Sequence, residues 1–291
     1  MIYRLVILVL LLNSTIASAQ FYPAFSAFME TGLLYNPALA GNNEQLSSTI
    51  GFRSQWSGLD GAPSYLFLSA DLPSKREKLG LGFNFFNESI GLNRNTMVNG
   101  NLSYKFLLSK GICSMGLSFG FKNSRFNLSG LELSQVEDPA FSGSSNSVFS
   151  PYAGFGFAYS LDDFSFDFGF MDVLNSSYSR NLNASVNYSY DLNNKLLMKT
   201  FVFYKRGMTN ISQLEIGSSF EYNRKLGCYI GYRTNQDFIL GLKVNVSKQL
   251  YMMYNYDFTT RYFNDYSYGS NELILRFNFI EEIQAHNPRD F

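Results

Sequence analysis

The residues able to do chemistry are few and poorly placed for it. The one histidine, His286, sits in a polar tract, so no Ser/His/Asp set has a workable geometry. Cys113 and Cys228 lie in segments far apart along the chain and are expected to stay unpaired. One histidine and two distant thiols do not make a soft-metal site. The carboxylate pairs Asp162-Asp163 and Glu281-Glu282 read as a turn and a solvated tail rather than a general acid and base. Gly80-Leu81-Gly82 has the spacing of a phosphate-cradling loop, but it lies inside an alternating apolar run with no helix after it. The expectation is a protein that is not an enzyme and uses no cofactor and no metal. Basic and acidic residues balance, 23 against 23, so nucleic acid is not an expected partner.

The elements around these residues carry more information. Arg4, the apolar run Leu5 to Leu12, and Ala17-Ser18-Ala19 form a secretory signal peptide, residues 1–19, with cleavage expected after Ala19. The apolar run is too short to span a bilayer. No later stretch approaches a transmembrane helix. Aromatic residues make up 17% of the chain and charged residues only 16%, which favours a wall with one face in lipid over a soluble domain.

Segments of about ten residues alternate in character and are separated by turn residues. Phe164, Phe166, Phe168 and Phe170 enclose Ser165, Asp167 and Gly169. Met115, Leu117, Phe119 and Phe121 enclose Gly116, Ser118 and Gly120. The runs at 79–85, 153–159, 240–246 and 273–279 follow the same rule. Side chains alternate across a strand, so each segment has one face of large apolar residues and one of Gly, Ser, Asn and charge. A soluble β-sandwich also alternates, but it has fewer strands and no need for a bulky outer face. The fold class is therefore all-β, a transmembrane antiparallel barrel of about 14 strands. The strands are expected near 47–57, 64–72, 79–87, 95–108, 112–127, 147–161, 164–172, 183–191, 195–206, 212–222, 226–234, 238–246, 250–258 and 270–280.

Connection lengths then sort by parity. One set is short throughout; the other holds the long connections 128–146, 173–182 and 259–269, with a short exception at 235–237. Outer-membrane barrels have short periplasmic turns and long outer loops, which puts both termini in the periplasm. Residues 20–46 precede the wall and could plug the lumen, close its periplasmic mouth or form a loosely packed arm; residues 281–291 are expected to make a periplasmic tail. Asp167, Glu215, Glu221, Lys243 and Arg276 fall on the lumen parity, where they can pair across strands.

Four motifs resemble the PorP/SprF membrane proteins of the type IX secretion system of Bacteroidetes. They are Asn36-Pro37-Ala38-Leu39-Ala40-Gly41; Arg53-Ser54-Gln55-Trp56-Ser57-Gly58-Leu59-Asp60-Gly61-Ala62-Pro63; Gly80-Leu81-Gly82-Phe83 through Asn87, Ile90-Gly91 and Asn95-Thr96; and Ser270-Asn271-Glu272-Leu273-Ile274-Leu275. Glu88 stands where the family commonly has Asp, and Asn271 where it has His. The resemblance implies an outer-membrane barrel that serves protein secretion and gliding. Its implied partners are outer-membrane lipid, type IX components in the periplasm, and the C-terminal domain of a secreted cargo such as an adhesin. Asn36, Pro37, Ala38, Gly41, Arg53, Trp56, Gly58 and Asp60 are the candidate plug or partner-binding residues. Trp56 has two readings, an interfacial anchor or an inward contact with the N-terminal segment or a partner. Two alternatives stand beside this one. A FadL-like transporter of hydrophobic compounds would need an apolar pocket in the lumen, which the Gly, Ser and Asn parity does not predict. A small diffusion porin would need an open polar bore.

Overall fold

The computed structural model describes residues 25–43, 45–73, 78–126, 146–175, 180–207, 212–234, 237–259 and 267–279. The expected signal peptide, His286 and the expected C-terminal tail lie outside them. Fourteen strands follow one another in the chain: β1 (Ser47–Ser54), β2 (Ser64–Pro73), β3 (Leu79–Ile90), β4 (Asn93–Leu107), β5 (Ile112–Phe126), β6 (Asn146–Leu161), β7 (Phe164–Met171), β8 (Asn181–Asn193), β9 (Leu196–Gly207), β10 (Ser212–Tyr222), β11 (Leu226–Arg233), β12 (Asp237–Asn245), β13 (Leu250–Thr259) and β14 (Ser270–Asn278). Each pairs antiparallel with its sequence neighbours, and β1 pairs with β14, so the sheet closes into a barrel with no free edge. In the closing pair Arg53 stands opposite Glu272. We call the mouth where β1 begins and β14 ends proximal, and the other distal.

Alternation places the side chains as the sequence implies. Leu117, Phe119, Leu240, Leu242 and Leu273 are exposed on the outer wall, while Ser118, Ile239 and Glu272 are buried inside it. A sheet with its apolar residues outside is stable only against hydrocarbon. Cys113 and Cys228 are free thiols.

Three expectations need correction. The first strand was expected to reach residue 57, yet it ends at Ser54, because Trp56 adopts φ 51° and turns the chain out of the ladder. The connection expected at 88–94 is a two-residue hairpin: β3 runs on to Ile90 and β4 starts at Asn93. The ladder persists because Glu88 faces inward, where Asn95 on β4 donates to its carboxylate at 2.7 Å. The distal mouth thus has short connections at 91–92, 208–211 and 234–236 beside its long ones. Third, the lumen is not only small and polar. Phe67, Phe86, Met97, Tyr152, Phe201, Phe203 and Tyr229 all face inward and are buried.

Candidate functional site

The inner aromatic residues are buried against the chain's own residues 25–43. These lie within the bore, running from its distal half toward the proximal mouth before β1 starts. Phe25 meets Phe67 edge-on at 4.7 Å between ring centroids. Phe28 stacks on Phe203 at 4.5 Å, with Phe201 at the same distance. Such pairs add about 0.5–1.5 kcal/mol each beyond the area they bury.

The distal end of the segment is held by charge. The Ser26 hydroxyl donates to Asp257 at 2.7 Å and accepts from Arg53 at 2.9 Å and Arg233 at 3.1 Å. One hydroxyl thereby uses its single donor and both lone pairs. The Ser26 and Ala27 amides donate to the two oxygens of Glu272, at 2.7 and 2.8 Å. Arg53 in turn donates to Asp257 at 2.6 Å and Glu272 at 3.1 Å, and Arg233 pairs with Glu215 at 2.8 Å and Asp257 at 3.0 Å. Both arginines are at most 2% exposed. Charges withdrawn from water this far must be paired, and here the pairing runs through the segment.

Glu30 anchors the middle. Its carboxylate lies 3.4 Å from Lys243 and 3.3 Å from Arg276, and it accepts a hydrogen bond from the Tyr251 hydroxyl. Burial alone would raise this carboxyl; the Lys243 and Arg276 charges and the Tyr251 hydrogen bond overcome that and hold it at about 2, against an ordinary value of 4.5. A depressed carboxylate contributes stability above its unfolded value, and that contribution is lost as pH falls through the folded one. Residues 25–43 should accordingly loosen between about pH 4.5 and 2. Pepsin, active over that window, should cut the segment faster as pH drops, and Glu30→Gln should flatten the dependence. A pH profile identical in the variant would exclude Glu30 as the group responsible.

The proximal part is recognised through its backbone. Ser114 donates to the Ala38 carbonyl at 2.7 Å, Ser103 to Ala40 at 2.6 Å, and Asn84 to Leu33 at 3.0 Å. Lys105 donates to the Gly41 carbonyl, while Asp71 accepts from the Gly41 amide. Gly41 itself has φ 69°, a backbone that side chains other than glycine rarely adopt. The inward glycines of the wall explain themselves here. A Cβ on Gly80 would collide with the Ala40 carbonyl, one on Gly116 with the Ala38 amide, and one on Gly156 with the Asn36 side chain. Asn36 caps the single turn Pro37–Leu39 by accepting from the Ala38 amide at 2.9 Å, and its own amide donates to Phe157 at 3.0 Å and Asp167 at 3.2 Å.

A sequence profile described as the type IX secretion system membrane protein PorP/SprF matches residues 17–277. The chain belongs to this family. No curated protein matches it. Among solved structures it is similar to the toluene transporter TbuX of Ralstonia pickettii, with 10% identity, 86% of this chain and 94% of that one covered, and a TM-score of 0.54. It is likewise similar to the CymD monoaromatic hydrocarbon channel, with 11% identity, coverage of 86% and 93%, and a TM-score of 0.52. At that identity the likeness concerns the fold, an outer-membrane β-barrel.

Within this PorP/SprF chain the candidate residues separate into three places. Asn36, Pro37, Ala38 and Gly41 lie together, buried in the proximal half of the bore. Arg53 belongs to the charged network of the distal half. Trp56, Gly58 and Asp60 lie in the distal turn between β1 and β2. The Trp56 amide donates to Ser270 at 3.1 Å, and the Ser57 amide to the Gly269 carbonyl at 2.8 Å, so this turn is tied to the start of β14. Among the inward charges, Glu221 pairs with Lys243 and Arg276 with Glu30. The sequence reading missed Ser26, Glu30, Arg233 and Asp257. A signal for the last two existed, since both fall on lumen parity in strands whose other parity is apolar.

Proposed function

We propose that the protein is a non-enzymatic docking platform in the outer membrane, used by the type IX machinery for export or surface attachment of a cargo protein such as an adhesin. Its partners would be periplasmic secretion components and the cargo's C-terminal domain. The observation that carries this reading is the seating of residues 25–43 in the bore by buried ion pairs and backbone hydrogen bonds. Two cavities beside the segment hold about 260 and 50 Å³. A bore filled so firmly supports docking over the passage of solutes. The short proximal turns favour a periplasmic proximal mouth, with both termini on that side.

The test begins with planar bilayers. The reconstituted protein should show no steady porin-like conductance, and long-chain fatty acids should not bind; either result in the opposite sense would restore the porin or FadL-like reading. In cells, deleting residues 21–46 should leave an inserted barrel but impair delivery of the cargo to the surface. Normal delivery by the truncated protein would overturn the role assigned to the segment.

A further inference from the structure

The proximal mouth has a charge pattern that the secretion reading does not use. The successive proximal turns β8–β9, β10–β11 and β12–β13 carry Lys195, Arg224, Lys225 and Lys248 and no acid. All four are exposed, and none forms an ion pair with another described residue. Among the described residues, Asp162 and Asp163 in the β6–β7 turn and Asp191 near the end of β8 precede this arc, and Glu221 near the end of β10 is already paired with Lys243. Adjoining the arc at β8–β9, a cavity of about 260 Å³ opens between the segment and β5–β9, beneath the β6–β7 turn. Phe28, Tyr35 and Phe203 contribute apolar walls. Lys199 lines it from β9 and also lines the smaller cavity beside it.

Lys199 makes no ion pair with a described residue. Glu30, whose charge it feels, is already held by Lys243 and Arg276. The acid that lines the larger cavity, Asp167, is taken up by Asn36 and Ser185. The mouth therefore offers an inward ammonium on β9, with an apolar recess toward β5 on one side of it and a cationic rim toward β13 on the other.

We propose that this mouth binds an acidic polypeptide segment bearing an apolar side chain, with a carboxylate on Lys199, the apolar group in the recess and further acids along the rim. The proposal rests on the docking reading above and names the chemistry of the partner. Anionic lipid headgroups would satisfy the rim, but they meet the outer perimeter of a barrel. Lys199 faces the bore, where a polypeptide can reach and a headgroup in the leaflet cannot. Rim attraction is screened by salt over roughly 8–10 Å.

The full chain in nanodiscs of neutral lipid should bind the fluorescent peptide Glu-Glu-Phe-Glu-Glu saturably, and more weakly as salt rises. Lys-Lys-Phe-Lys-Lys should not bind. Lys199→Gln should weaken binding about tenfold, as should the combined change of Lys195, Arg224, Lys225 and Lys248 to Gln. No saturable binding, or binding indifferent to both variants, overturns the proposal. It also fails if the rim variant changes only association with phosphatidylglycerol discs while Lys199→Gln is silent, since the rim is then a lipid belt. Binding seen only with a chain ending at residue 279 would mean that the protein's own tail fills the mouth, and this too overturns it. The docking reading stands or falls separately. Cargo delivery that survives deletion of the whole barrel removes that reading, whereas peptide binding that fails while delivery depends on the barrel removes only this one.

Discussion

Replacing Arg53 by methionine is expected to lower the stability of the barrel by roughly 3–5 kcal/mol, the usual penalty for leaving a buried partner charge unpaired. Asp257 and Glu272 both lose a donor, and the Ser26 hydroxyl loses one of its two. Methionine fills the volume but restores none of these bonds. Lysine should recover only part of the loss, because one ammonium cannot reproduce a fork whose two ends reach Asp257, Glu272 and Ser26 together. Denaturant titration in lipid vesicles, followed by the heat-modifiable gel shift typical of closed barrels, reads the effect directly. An unchanged midpoint in the methionine variant would mean that the network contributes nothing net.

The second large effect is expected from a single carbon. Gly116→Ala and Gly156→Ala each put a methyl where the segment's own atoms lie: the Pro37-Ala38 backbone for one, the Asn36 side chain for the other. The strands have other inward neighbours to hold their register, so the ladder should survive and the segment should give way. Protease cleavage within residues 25–43 should rise by about tenfold or more if displacement costs 1.4 kcal/mol or more of seating energy. Gly100→Ala is the control, since its added Cβ would meet only the Gly82 carbonyl, at 4.0 Å. Equal protection in all three variants would show that the segment can retreat without loss.

Much of the wall was legible because its signal repeats. Alternation with period two fixed which residues face lipid in β3, β5, β12 and β14, and all fourteen strands were located to within a few residues. The interior was less legible, because one rule of alternation assigns large residues to the outside only. Phe85 and Phe86 are adjacent, and so occupy both faces of β3; Phe201 and Phe203 flank Val202 from the inside of β9. Adjacent or inverted aromatics of this kind indicate something for the bore to pack against, which is the segment itself. The motif residues Asn36 to Gly41 could be located but not explained from sequence. Their reason lies in glycines on strands more than 70 residues away in some cases, such as Gly116 against Ala38. Trp56 escaped for a local reason: nothing in its neighbours announces a left-handed backbone.

The bonds between Ser26 and Glu272 join positions 246 residues apart. During biogenesis these two groups have to be brought together across almost the whole length of the barrel sequence. Until β11, β13 and β14 arrive, the arginines and carboxylates that grip Ser26 cannot all be present. Seating of the segment is therefore tied to the final stage of assembly and marks a completed cylinder. Loops this long form slowly, so an unfinished intermediate would expose residues 25–43 to chaperones and proteases.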